Sequence, residues 1–375
     1  MKFIISKLHL TVALNNVSRA VSSRNPNPVL TGLKFELNKN GLFITGSDSD
    51  LSIVTKIPLE ENEEKIIDAF SFGTAVLSSK LITEIIRKLD SQNERLEFEL
   101  IDNTTVKIKN DNSEYSLTCM NADDYPSIDL TNGANVFNIS TEELKLVIQQ
   151  TSFAASDREN RPVLTGVNFK AAGNKLECVA TDSYRLARKI VELPTQQDFN
   201  ITIPARTLNE IIRIIENEKN VEISVSDKKV IFKLKNTLIV SRLISGAYPE
   251  TSKLIPDTFE YELETISQNF ISAIDRAQVF SVDRFNIVKL TMDPGQVQII
   301  SKSQQIGSAV ENITSFRYSG EKLEISFTAK YVIEAIRAVG TENISILFNG
   351  DMKPFIIKNK DDNSITQLVL PVRTY

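Results

Sequence analysis

Apolar residues recur at helical spacing in three separated stretches that share one charge pattern. "SSKLITEIIRKL" (78–89), "PARTLNEIIRII" (204–215) and "TAKYVIEAIRAV" (328–339) each carry a cation near the start: Lys80, Arg206 or Lys330. A glutamate follows four residues later (Glu84, Glu210, Glu334), and an arginine three after that (Arg87, Arg213, Arg337). Ile82, Ile85, Ile86 and Leu89 fill the other side of the first stretch. Residues three and four apart share a helix face, so each stretch predicts an amphipathic helix with a basic–acidic–basic stripe.

Each of these helices is preceded by a second periodic segment. "ISKLHLTVALNNVSRAVSS" (5–23) parallels "ISTEELKLVIQQTSFAASD" (139–157), with Leu10, Ala13, Leu14 and Val17 apolar in one and Leu144, Val147 and Ile148 in the other. A third opening helix falls on "ISQNFISAIDRAQVF" (266–280), through Phe270 and Ile274. "PVLTG" occurs at 28–32 and again at 162–166, whereas the third region reads "RFNIVKL". "SDSDLSIV" and "TDSYRLAR" occupy matching places, with Asp48 against Asp182, and read as a strand, a turn and a strand. Beyond each striped helix the polarity alternates at period two, in 95–120, 220–243 and 343–372, broken by Asn, Asp and Gly. That pattern predicts antiparallel hairpins. Tyr125–Pro126 and Tyr248–Pro249 close the first two copies. The expected architecture is α+β, three tandem domains at 1–128, 129–251 and 252–375, each with two helices backed by antiparallel sheet.

Composition narrows the functional classes. The start of the chain has only Phe3–Ile5 as an apolar run, and no later run approaches the ~18 apolar residues of a spanning helix, so a cytoplasmic location is expected. Cys119 and Cys178 sit in strand-like apolar contexts and read as buried free thiols. His9 is the single histidine, too little for a zinc site or a serine triad. No phosphate-binding glycine loop and no Cys/His metal spacing occurs, so neither metal nor cofactor is expected. The acid pairs Asp48/Asp50 and Asp123/Asp124 would suit magnesium in a nucleotidyl transferase, but turn and capping roles account for them more simply. Catalysis is not the natural reading.

A net charge of −5 argues against a protein that coats nucleic acid with its whole surface, but allows a local basic face. The striped helices offer Lys80, Arg87, Arg206, Arg213, Lys330 and Arg337 to such a face. The ends of the opening helices add Arg19 and Arg24, Arg158 and Arg161, Arg276 and Arg284. Taken singly, each stripe is explained by salt pairs on a solvated helix. Taken together on one surface, they would meet phosphates without reading bases, and the intervening glutamates would keep the contact weak.

The chain resembles, along its whole length, the bacterial sliding clamp family, the beta subunit of DNA polymerase III. The resemblance rests on "MKF", the "PVL-G" segment, "ATDSYRLA" (180–187), "SGAYPETSKLIP" (245–256), "TAKYVIEAI" and the terminal "LPVR". It implies three DNA-clamp domains forming half of a six-domain ring, closed as a head-to-tail homodimer around duplex DNA. The ring would tether the replicative polymerase and catalyse nothing. Arg24, Arg158 and Arg161 would join the helix cations at the DNA. The resemblance also implies a groove for short linear peptides of polymerases, clamp loader and repair proteins. By position it comprises Leu164, Thr181, Ser183, Tyr184, Arg185 and Leu186, with Pro249, Lys253 and Leu254 on one wall. Tyr331, Met352, Val369, Leu370, Pro371, Val372 and Arg373 supply the rest, with Arg185 and Arg373 orienting the peptide. Many relatives carry histidine at Tyr184 and arginine at Lys253, so the peptide preference of this chain is its own. Tyr115 and Leu117 are expected to face the partner's third domain, and Val279 and Phe280 the partner's first; the competing reading is ordinary core packing within a domain. A peptide-binding repeat scaffold without a ring is the other functional class that fits.

Overall fold

The computed structural model describes residues 1–89, 95–215, 218–281 and 286–373; Arg284, one of the expected basic residues, lies outside them. Among the described residues the striped helices are α2 (Ser79–Lys88), α4 (Ala205–Ile212) and α6 (Ala329–Val339). The opening helices are α1 (Lys7–Val17), α3 (Thr141–Thr151) and α5 (Ser267–Ala277). No helix among the described residues is long and apolar enough to cross a membrane.

A strand precedes each opening helix: Lys2–Ser6, Asn135–Ser140 and Tyr261–Ile266. The periodic segment 5–23 contains the first opening helix, but the sequence pattern does not mark the strands that precede the three helices. Five or six residues of alternation look like a frayed helix start until the distant partner is known. For Lys2–Ser6 that partner is Arg95–Ile101, with Phe3 against Phe98 in register and their rings stacked at 5.0 Å.

The chain packs as two compact units, 1–141 with 210–243 and 142–209 with 244–375. Each unit joins strands of neighbouring copies. In the first, Thr237–Arg242 pairs antiparallel with Leu51–Ile57, which makes one eight-stranded sheet from two copies; a five-stranded sheet completes the unit. In the second, Arg185–Pro204 pairs with Asp362–Val369 inside a seven-stranded sheet, beside a four-stranded one. One core of this unit packs Phe327, Phe348 and Phe355 against the apolar sides of α5 and α6.

The repeated "PVLTG" has a geometric cause. Pro28–Thr31 and Pro162–Thr165 are single 3-10 turns in which each threonine Oγ1 donates to the proline carbonyl at 2.7 Å. The following glycine enters a strand with no room for a side chain. A Cβ on Gly166 would lie 2.6 Å from the Ile203 carbonyl oxygen, and one on Gly32 2.7 Å from Val76 Cγ1. Gly166→Ala is therefore expected to lower unfolding stability by about 1–3 kcal/mol, because backbone must shift to admit the methyl. Urea titration of the full chain reads this directly.

Candidate functional site

Two turns with the same backbone hold the key side chains. In the 182–185 turn, Asp182 Oδ1 accepts the amide N–H groups of Tyr184 (2.9 Å) and Arg185 (3.0 Å). In the 48–51 turn, Asp48 Oδ1 does the same for Asp50 (3.1 Å) and Leu51 (2.8 Å). The middle serines take left-handed backbone, φ 77° at Ser183 and 84° at Ser49. An aspartate that accepts two amides ahead of it makes such a turn without glycine.

The turn delivers Arg185 into the interior rather than to solvent. Its side chain is only 8% exposed and meets three acceptors. Nε donates to Asp182 Oδ2 at 3.0 Å, Nη2 to the Phe153 carbonyl at 2.6 Å, and Nη1 to Glu334 of α6. The guanidinium also lies over two rings, 5.2 Å from the centre of Phe153 and 4.6 Å from that of Tyr331. Three of the guanidinium's five N–H groups are therefore engaged within the protein.

A cavity of about 400 Å³ adjoins this stack. Of the sixteen expected groove residues it collects Leu164, Ser183, Tyr184, Arg185 and Tyr331. It also draws in three cations expected at DNA, Arg158, Arg161 and Lys330. Tyr184 is half-exposed, and its carbonyl accepts the Leu370 N–H at 2.9 Å, so the segment after Val369 is tied to the cavity's turn. Leu370 packs with Tyr248 and Ile255 on a small core of Val179, Leu186 and Leu368. Leu254 and Met352 are exposed apolar residues outside the cavity, and Pro249, Lys253 and Arg373 are exposed. Pro371 and Val372 are partly buried, with the Val372 N–H donating to the Ser326 carbonyl at 2.7 Å.

Three expected groove residues stand behind the surface. Leu186 and Val369 are enclosed in cores, and Thr181 spends its hydroxyl on the Arg185 carbonyl at 2.5 Å. Sequence reasoning missed Phe153 and Tyr248. Tyr248 had a signal, the repeated Tyr-Pro: its hydroxyl accepts the Thr181 N–H at 3.0 Å, and Tyr125 of the first copy donates to the Thr45 carbonyl at 3.2 Å. Burial pushes the Tyr248 hydroxyl well above the usual phenol range.

All nine expected DNA contacts, Arg24, Lys80, Arg87, Arg158, Arg161, Arg206, Arg213, Lys330 and Arg337, are exposed. The glutamates between them are less free than a solvated stripe implies. Glu210 accepts from Arg19 of the first copy at 3.1 Å and from Arg213 at 3.3 Å, with its side chain 17% exposed. Glu334 is gripped by Arg185 of the second copy. Glu84 instead pairs inside its own helix with Lys88 at 2.9 Å and is 42% exposed. Two of the three glutamates are thus ties between neighbouring copies.

The residues expected at a subunit contact divide. Leu117 is packed in its own core on Glu114–Thr118, the edge strand of the five-stranded sheet, opposite Val106. Tyr115 on that strand is partly buried, as is Phe280. Val279 is 69% exposed, in the 3-10 turn Gln278–Phe280 beside the edge strand Gly307–Asn312.

Comparison with known proteins is consistent along the chain. Family models of the DNA polymerase III beta subunit match as its N-terminal domain (1–129), central domain (138–250) and C-terminal domain (252–373). The beta sliding clamp of Bacillus subtilis (strain 168) is 40% identical, and that of Staphylococcus aureus (strain N315) 36%, each with all of both chains covered. The crystal structure of the Bacillus subtilis DNA polymerase sliding clamp superposes with a TM-score of 0.96 at 39% identity over all of both chains. The DNA polymerase III beta chain of Streptococcus pneumoniae TIGR4 does so at 0.95 and 31%, again over all of both.

Proposed function

The chain belongs to the DNA polymerase III beta subunit family, and on that premise we propose that two copies close head to tail into a ring around duplex DNA. As a sliding clamp it is a non-catalytic processivity subunit, and it holds the polymerase to its template. The three clamp domains are assigned to 1–128, 129–251 and 252–375, acting in the cytoplasm.

One observation carries the closed ring. At the first junction inside the chain the 3-10 turn after the opening helix meets the next copy's glutamate directly, and at the second it does so through Arg185. Arg19 of Ser18–Ala20 takes Glu210, and Phe153 of Ser152–Ala154 stacks on the arginine that takes Glu334. The matching turn of the third copy leaves Val279 exposed, and Glu84 of the first copy pairs with Lys88 of its own helix. A second copy of this chain would give each of them the junction partner that the other two copies find inside the chain. Hydrophobic contact at Val279 and Phe280 and pairing of the open edge strands would close them.

Within the ring, DNA contact is electrostatic and sequence-independent, and enclosure provides persistence. The cavity beside Tyr184 and Tyr331 is assigned to short linear peptides of the polymerase, clamp loader and repair proteins, with apolar anchors on Leu164 and the two rings. Replacing Arg158 and Arg161 by alanine should reduce the slope of log affinity against log salt by about 0.9 per lost phosphate contact, read on a linear duplex. Sedimentation of the intact protein tests closure: twice the 42.0 kDa chain mass is expected, and a monomer at working concentrations contradicts it.

A further inference from the structure

The two junctions inside this chain share a backbone and differ in a coordinated set of side chains. At the first, the cation comes from the 3-10 turn as Arg19, and the residue after the aspartate turn is Leu51, 3% exposed. At the second, the turn carries Phe153, and Arg185 stands in the place of Leu51. The guanidinium has moved from one element to another, yet it still engages the same glutamate of the following helix, Glu210 in one case and Glu334 in the other. A third position changes with them: α4 has Thr207 where α6 has Tyr331.

The ion pair is retained through this exchange, so the exchange does not serve adhesion between copies. What it adds is a cation–π stack in which the Arg185 guanidinium lies over both the Phe153 and the Tyr331 rings, which the first junction has no rings to form. The cavity of about 400 Å³ lies against that stack and uses Tyr331 as lining. A tyrosine at a cavity wall loses side-chain freedom when a ligand packs on it, and that loss weakens binding. A guanidinium held by Asp182, Glu334 and the Phe153 carbonyl presents a fixed flat face on which the ring rests beforehand.

We propose that the Phe153–Arg185–Tyr331 stack is the device that makes the second junction, and not the first, a peptide-binding groove. Arg185 is a positioning residue: its guanidinium sets the Tyr331 ring at the cavity wall. This rests on the groove assignment above and adds the residues that determine which junction carries the groove.

The test exchanges the second junction for the first. A full-length chain with Phe153→Arg and Arg185→Leu restores the cation to the turn, where it can reach Glu334 as Arg19 reaches Glu210. Short overlapping peptides spanning the replicative polymerase serve as probes by fluorescence anisotropy. The exchanged chain should melt and be retained on DNA as the unaltered chain does, while its affinity for the bound peptides falls by about tenfold or more. Arg185→Lys keeps the charge between Asp182 and Glu334 but loses the planar face, and should show a loss of the same order; it decides the matter should the exchanged chain not fold. Peptide affinity within about twofold of the unaltered chain, in either folded variant, overturns the proposal while leaving the groove in place. If the unaltered chain binds none of the peptides, the groove assignment falls and takes the proposal with it.

Discussion

Replacing Val279 by aspartate is expected to turn a ring-forming chain into a well-folded monomer that DNA does not retain. Val279 is 69% exposed, so the substitution removes almost no packing from its own unit. Its turn adjoins the edge strand Gly307–Asn312, on and beside which Val310 and Ile306 are exposed apolar residues. A carboxylate there stays hydrated in the free chain but must be buried without a partner when a second chain packs on. Breaking a match of that kind costs about 3–5 kcal/mol, or roughly two to four decades in the dimer constant. Sedimentation across a concentration series should show the shift to the single-chain mass, with the circular dichroism spectrum of the folded chain kept and its melt no longer dependent on protein concentration. A dimer as tight as the unaltered protein's would show that Val279 faces solvent in the assembly too.

The second large effect falls on stability. Arg185→Leu should cost the unit built from 142–209 and 244–375 about 3 kcal/mol, the lower end of what removal of one partner from a buried ion pair costs. The lower end applies because the carboxylates left behind, Asp182 and Glu334, retain 13% and 29% side-chain exposure and so keep some water. Asp182 would also keep its two turn amides, which preserves the turn. Urea unfolding followed by circular dichroism measures this. A change under about 1 kcal/mol would mean that the triad of charges is an ornament of the surface.

Local chemistry was legible in the sequence, and long-range pairing was not. The striped helices follow from the spacing of Ile82, Ile86 and their counterparts, and the aspartate turns from "SDSD" and "TDSY". Both depend on residues a few positions apart. The strands Lys2–Ser6 and Asn135–Ser140 depend on partners far along the chain, Arg95–Ile101 and Asn220–Val225, and short alternation alone did not distinguish them from helix starts. For the same reason three sequence copies fold as two units: the pairings of Thr237–Arg242 with Leu51–Ile57 and of Arg185–Pro204 with Asp362–Val369 cross copy limits.

The site was half legible. Leu164, Ser183, Tyr184 and Tyr331 do meet at one cavity. The resemblance places Arg185 in the groove, and Arg185 does line the cavity, but the resemblance does not show how far the guanidinium is drawn inward. The arginine turns inward because Glu334, Asp182 and two aromatic faces together replace its water. Nothing in the sequence placed Phe153 or Glu334 beside it. The glutamates of α4 and α6 were read as part of an exposed stripe, and their burial against neighbouring copies became visible only with the junctions.

Enclosure is the central claim, and topology separates it from mere affinity. The protein should be loaded onto nicked circular DNA, freed of unbound chain, and the DNA then cut once by a restriction enzyme at constant salt. The account predicts that protein stays with the circle through gel filtration and runs off the linear product. Equal retention on circular and linear DNA would contradict it, since surface charge alone cannot tell a closed duplex from one with ends.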